Sequence, residues 1–93
     1  MIKSFADSET EKLYITGKSR KLPAGVCRIG VRKLDYLNAA VKMDDLRVPP
    51  GNRLEALEGD LKSKYSIRIN DQYRVVFRFE DGDAYDVQVM DYH

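Results

Sequence analysis

Hydrophobic and polar positions alternate most clearly in the last third of the chain. Tyr65, Ile67, Ile69, Tyr73, Val75, Phe77 and Phe79 fall on one side of a period-2 repeat, and Ser66, Arg68, Asn70, Arg74 and Arg78 fall on the other, as successive side chains of a strand do. The runs 65–70, 73–79 and 85–90 are rich in β-branched and aromatic residues, and they are parted by Asn70-Asp71-Gln72 and Glu80-Asp81-Gly82-Asp83. That pattern predicts an antiparallel meander of three strands with tight turns. One face is core, with Tyr65, Tyr73 and Tyr85 in the apolar set, and the other is basic.

Upstream the period changes. Ile2 to Phe5 is a short strand candidate, the first of the sheet. Asp7 or Ser8 caps a helix, Ser8 and Glu11 standing at capping-box spacing; Leu13 and Ile15 begin its apolar side and Gly17 stops it. A basic loop, Lys18-Ser19-Arg20-Lys21, leads to Pro23, the first-turn proline of a second helix running to about Ala40. Val26, Ile29, Leu34, Leu37 and Val41 recur at helical spacing and should face the sheet, leaving Arg28, Arg32, Lys33 and Asp35 outside. Met43 to Leu46 reads as a half-turn, and 47–52 as a loop stiffened by Pro49 and Pro50. A strand over Arg53–Gly59 follows, with Leu54 and Ala56 towards the helices and Arg53 and Glu55 on the opposite surface, beside Arg68 and Arg74. The fold class is therefore α+β: a small antiparallel-dominated sheet of 4–5 strands, with two N-terminal helices packed on one face, in a single domain spanning residues 1–93.

Composition narrows this picture. Ninety-three residues suffice for one modest core. A net charge of +1 does not announce a nucleic-acid binder, but its distribution is uneven. Between positions 47 and 78 stand Arg47, Arg53, Lys62, Lys64, Arg68, Arg74 and Arg78 against Glu55, Glu58, Asp60 and Asp71. Beyond Phe79 the charges are acidic, at Glu80, Asp81, Asp83, Asp86 and Asp91. The single cysteine, Cys27, cannot form an internal disulfide and lies where a small buried apolar role is expected. Neither a signal-peptide stretch nor an apolar run of about 18 residues is present, so a cytoplasmic protein without membrane contact is expected. One histidine, one cysteine and scattered acids do not compose a metal site. No metal and no cofactor are expected.

Arg68 and Arg74 share their predicted face with Tyr92, and the only histidine, His93, ends the sequence. A cationic sheet face edged by Tyr and His suits a phosphodiester. The plainer alternatives are that Arg68 and Arg74 pair across strands with Glu55 or Asp86 as surface salt bridges, and that a terminal histidine is simply a chain end.

Three ordered blocks carry a family resemblance: Pro49-Pro50-Gly51-Asn52-Arg53-Leu54-Glu55-Ala56-Leu57-Glu58-Gly59, the run from Tyr65 to Arg74, and Asp91-Tyr92-His93. Together they resemble the HigB or proteic killer toxins of the RelE/ParE superfamily over essentially the whole chain. The resemblance implies a toxin of a type II toxin-antitoxin module that cleaves messenger RNA on the ribosome, inhibiting translation without a metal ion. It also implies a HigA-type helix-turn-helix antitoxin as partner, and contact with operator DNA indirectly through that antitoxin.

Carried over residue by residue, the resemblance makes Glu55 the general base, Arg74 and Arg68 the phosphate-steadying cations and His93 the general acid. Tyr92 and Asp91 complete the C-terminal signature, Tyr92 stacking on a base or bonding to phosphate. Arg53, Lys62, Lys64 and Asp91 are candidate substrate-binding residues. Glu58 stands where some HigB members have lysine. Two other readings stay open, a binding toxin of DNA gyrase like the ParE members and a weakly active homologue serving as antitoxin co-repressor. Plain alternation puts Asp91 and His93 on the core side. Either the terminal residues leave the ladder, or His93 reaches the site round the edge of the sheet.

Overall fold

A computed structural model describes residues 1–91 of the chain; the expectations for Tyr92 and His93 lie outside the described residues. Helix α1 spans Ser8–Thr16, and its N-cap is Asp7, whose carboxylate accepts the Thr10 N–H at 2.7 Å. Gly17, at φ 77°, closes it by donating to the Leu13 carbonyl. Helix α2 spans Ala24–Ala39, with Pro23 just outside the first turn rather than within it. After three short 3-10 turns and a brief strand β1, Glu55–Ala56, come β2, Tyr65–Arg68, β3, Tyr73–Glu80, and β4, Asp83–Asp91. The sheet runs β1-β2-β3-β4 with every pairing antiparallel.

Local chemistry sets the turns. Asn70 Oδ1 accepts from the N–H groups of Gln72 and Tyr73, both at 2.8 Å, which closes the β2–β3 connection. The β3–β4 hairpin turns on Asp81 and Gly82, at φ 50° and 83°, the two positive values a type I′ turn demands. Both helices cover one face. Leu13, Val26, Leu34 and Leu37 form one buried cluster with Ile67, Ile69, Val75, Phe77, Ala84 and Val87, and Cys27 is buried among them as expected. The Thr10 hydroxyl accepts the Val89 N–H at 3.0 Å, tying α1 to β4.

Several sequence expectations are corrected. Ile2–Phe5 is not a ladder strand; it makes two isolated parallel bridges, Ile2 to Ala84 and Phe5 to Val87, along the outer edge of β4. The strand predicted over Arg53–Gly59 shrinks to two residues because Arg53 is left-handed at φ 46° and Gly59, at φ 66°, opens a 3-10 turn. Within it, Leu54 packs on the core but Ala56 is exposed, and Leu57 is buried instead. Ile15 and Val41 face solvent, Val41 because α2 has already ended at Ala39, with Ala40 its extended C-cap. Lys33, expected outside, is buried.

Tyr85 is the other misplaced residue. Pairing steps from Val76–Gln88 to Arg78–Tyr85, so Phe77 faces both Asp86 and Val87. This is a β-bulge with Asp86 at φ 54°. The extra residue resets the alternation of β4 and sends Tyr85 to the outer face, opposite Arg78. Ser4 holds the bulge, its hydroxyl accepting from Asp86 N–H at 2.9 Å and its carbonyl from Val87 N–H at 3.1 Å.

Gly82 gives the fold's simplest test. A Cβ there would sit 2.9 Å from the Val41 carbonyl oxygen, on a backbone already at positive φ. Gly82→Ala should lower unfolding stability by about 1–3 kcal/mol, read as a lower urea midpoint with unchanged slope.

Candidate functional site

On the face of the sheet away from the helices, the strand register builds two rows of side chains. Glu55, Ser66, Val76 and Gln88 stand side by side across the four strands. In the next row Arg68, Arg74 and Met90 are neighbours. Two arginines directly opposite one another repel, and the structure answers each charge separately. Arg68, about one-third exposed, pairs with Asp71 of the β2–β3 turn. Arg74 is buried: its Nε donates to Ser66 Oγ at 2.6 Å, its Nη2 donates to the Arg53 carbonyl at 2.6 Å, and Glu55 Oε1 lies 3.7 Å from Nη2.

This face is therefore not the open, solvated basic surface that alternation predicted. Ser66, Arg74 and Val76 are all buried on it. Glu55 remains about half exposed at the rim, which leaves a carboxylate accessible next to a guanidinium whose plane is fixed by two short hydrogen bonds. Such a pair can take a proton and hold a phosphate in the same small space. The register thus unites Glu55, Arg68 and Arg74 on one face, as the sequence led one to expect. Of the candidate substrate-binding residues, Arg53 contributes its backbone carbonyl while its side chain is exposed. Lys62 is exposed and Lys64 half-buried on the connection into β2. Asp91 is opposite Tyr73, as alternation placed it, and accepts from Gln72 Nε2 at 3.0 Å.

Arg78 is a separate, surface-bound group. It pairs with Glu80 at 2.7 Å and Asp86 at 3.4 Å, and its guanidinium lies 4.6 Å from the centre of the Tyr85 ring.

Residues that sequence reasoning passed over hold the site from beneath. Lys33 Nζ donates to Asn52 Oδ1 at 2.6 Å, and Asn52, wholly buried, donates through Nδ2 to the carbonyls of Leu46 and Val48 at 3.2 and 3.4 Å. Burial, then the neighbouring charges of Arg32 and Arg68, push the Lys33 ammonium below the usual lysine range. Its spacing in the Val26, Gly30, Lys33, Leu37 stripe of α2 was the available signal, since all four positions are buried.

A concavity of about 920 Å³ lies elsewhere, between the end of α1 and the start of α2. Leu22, Ala24, Cys27 and Val31 line it with Lys12, Lys18, Arg20 and Arg28, and it shares no residue with the arginine rows. Among the described residues no three His, Cys, Asp or Glu side chains are grouped to hold a metal ion.

The profile described as "RelE-like toxin of type II toxin-antitoxin system HigB" matches residues 3–93. A protein named Toxin HigB-1, from Vibrio cholerae serotype O1, is 46% identical over 85 residues, covering 90% of each chain. One named Endoribonuclease HigB, from Proteus vulgaris, is 34% identical over 94 residues, with 100% of both chains covered. In shape, the chain is similar to a subunit of a heterotetrameric YoeB-YefM toxin-antitoxin complex from Staphylococcus aureus, with a TM-score of 0.61 at 18% identity, covering 100% of this chain and 98% of that one.

Two outcomes test the anchoring of this site. Ser66→Ala removes a buried acceptor of Arg74 and should cost about 1–3 kcal/mol, measured by chemical denaturation. For Lys33 the folded pKa is depressed, so the protonated amine penalises the fold at every pH below that value. Wild type should gain stability relative to Lys33→Met as pH rises through the folded pKa towards the ordinary 10.5, in paired denaturation curves.

Proposed function

The chain belongs to the HigB-like family of RelE-like toxins of type II toxin-antitoxin systems, and from that premise we propose that it is a ribosome-dependent endoribonuclease. Its substrate is messenger RNA, cut by attack of a ribose 2′-hydroxyl on the adjacent phosphorus, with no metal ion required. The observation that carries this reading is the half-exposed Glu55 carboxylate 3.7 Å from the buried, doubly anchored guanidinium of Arg74. The name of the Proteus vulgaris relative agrees with it.

In this mechanism Glu55 takes the proton of the 2′-hydroxyl as the in-line attack begins. Arg74 and Arg68 stabilise the added negative charge on the pentavalent phosphorus. Because the hydrogen bonds from Arg74 to Ser66 and to the Arg53 carbonyl already orient it, little reorganisation is needed at the moment of reaction. His93 protonates the departing 5′-oxygen, imidazole being the side chain suited to exchanging protons near neutral pH. Tyr92 stacks on a neighbouring base. Lys62, Lys64 and Arg53 line the path of the RNA backbone, and Asp91 helps to hold the end of β4.

A net charge of +1 gives little long-range attraction to free RNA. The ribosome therefore supplies most of the positioning. A HigA-type helix-turn-helix antitoxin neutralises the toxin and carries it to operator DNA. No helix among the described residues is long and apolar enough to cross a membrane, in keeping with action in the cytoplasm, where translation occurs.

Expression of wild type should arrest bacterial growth and cleave messenger RNA in a translating extract. The new ends should carry a 2′,3′-cyclic phosphate and a 5′-hydroxyl. Glu55→Gln, Arg74→Ala and His93→Gln should each reduce cleavage by about a hundredfold or more, with folded circular-dichroism spectra. Full toxicity of His93→Gln, or inhibition of gyrase supercoiling by wild type, would overturn the nuclease reading.

A further inference from the structure

A buried lysine needs a reason. Lys33 occupies a core-facing position of α2, where leucine or methionine would pack without the cost of desolvating a charge. Among the described residues its polar contact is one short hydrogen bond to a neutral amide, Asn52 Oδ1 at 2.6 Å, supplemented by the Tyr36 ring 5.6 Å away. That contact settles which way the Asn52 amide faces. Lysine can only donate, so the oxygen must point to α2, and the Nδ2 group is then aimed at the carbonyls of Leu46 and Val48.

The consequence runs directly into the site. With its amide fixed, Asn52 pins the Pro50–Asn52 3-10 turn, whose end is Arg53 in the left-handed region at φ 46°, its N–H bonded to the Pro50 carbonyl at 3.1 Å. The carbonyl of this strained residue accepts from Arg74 Nη2, and Glu55 follows two positions later. A residue in that backbone conformation keeps its carbonyl in place only where the surroundings hold it. Asn52 is wholly buried and supplies that hold.

We propose that Lys33 and Asn52 are positioning residues for the arginine site, locking the Pro50–Arg53 turn so that its carbonyl and Glu55 meet the Arg74 guanidinium in one geometry. The proposal rests on the nuclease reading for its effect on rate, but not for its effect on Arg74. The depressed pKa of Lys33, to which Arg68 contributes, agrees with a cation lying close behind the same face.

Lys33→Met tests it in the full-length chain. Methionine removes the desolvation cost of the ammonium but leaves the buried Asn52 Oδ1 without its donor, two effects of opposite sign on stability, and a purely structural lysine would leave the activity of the folded variant intact. A positioning lysine would instead lower kcat for mRNA cleavage about tenfold to a hundredfold at nearly unchanged KM. It would also shift or broaden the Arg74 Nε–Hε resonance in nitrogen-15 NMR spectra, while the circular-dichroism spectrum stays that of the folded chain. Wild-type kcat together with an unmoved Arg74 resonance would overturn the proposal. Should Lys33→Met fail to fold, Asn52→Asp carries the same test, since it keeps an acceptor for Lys33 but loses the donor to Leu46 and Val48. If wild type itself cuts no RNA, the nuclease reading falls alone, and the Arg74 resonance still decides whether the turn is locked from α2.

Discussion

The burial of one guanidinium organises this molecule. Arg74 lies in the middle of the sheet on the face that antiparallel proteins usually leave to water, and a charge there is tolerable only if its donors are met. Ser66 on the neighbouring strand and the Arg53 carbonyl from beyond β1 meet them, with Glu55 close by. Each acceptor comes from a different part of the chain. The guanidinium can therefore be satisfied only when β1, β2, β3 and the turn before β1 are all in register, so the group that would do chemistry is also a check on correct folding.

The helical layer contributes to that same end rather than merely closing a core. Helix α1 is fastened to β4 through Thr10 and Val89, and α2 reaches the turn before β1 through Lys33 and Asn52. Asn38 of α2 accepts the Ile2 N–H at 2.9 Å, and Ser4 in turn secures the bulge of β4. Apolar burial supplies most of the driving force but is non-directional. These few hydrogen bonds fix how the layers are placed, which a site built from side chains on three strands requires.

Much of the fold could be read from periodicity, and the reasons it failed elsewhere are local. The meander was legible because Ile67, Ile69, Val75 and Phe77 alternate strictly and Asn70 and Asp81-Gly82 are strong turn formers. The helices were legible from Asp7, Gly17 and the stripe through Leu34 and Leu37. Alternation misled at Ala56 and Leu57 because a left-handed Arg53 and a turn at Gly59 cut the strand to two residues. It misled at Tyr85 because a bulge changes parity with no mark in composition. Glu55, Arg68 and Arg74 could be placed together from pattern and resemblance, whereas the burial of Arg74 could not. Neither could its debt to Ser66 and a backbone carbonyl, since both depend on long-range register. Lys33 was missed because a charged residue type was allowed to outweigh its position on the helix.

The bulge at Asp86 divides β4 into two reading frames. Tyr85 and Gln88, three residues apart, both look away from the helices, which an unbroken strand would forbid. Orientation of everything downstream is thus counted from this one residue and not from the hairpin. Straightening the bulge with Asp86 kept in the ladder opposite Phe77 would rotate the distal half of the strand by half a turn, putting Val89 in place of Met90 beside Arg74 and driving Gln88 into the hydrocarbon interior. Deleting Asp86 would instead leave plain alternation, Tyr85 outward, Val87 inward and Gln88 outward, with Met90 still beside Arg74, so the same strand can be written with or without the extra residue but not with that residue in the ladder.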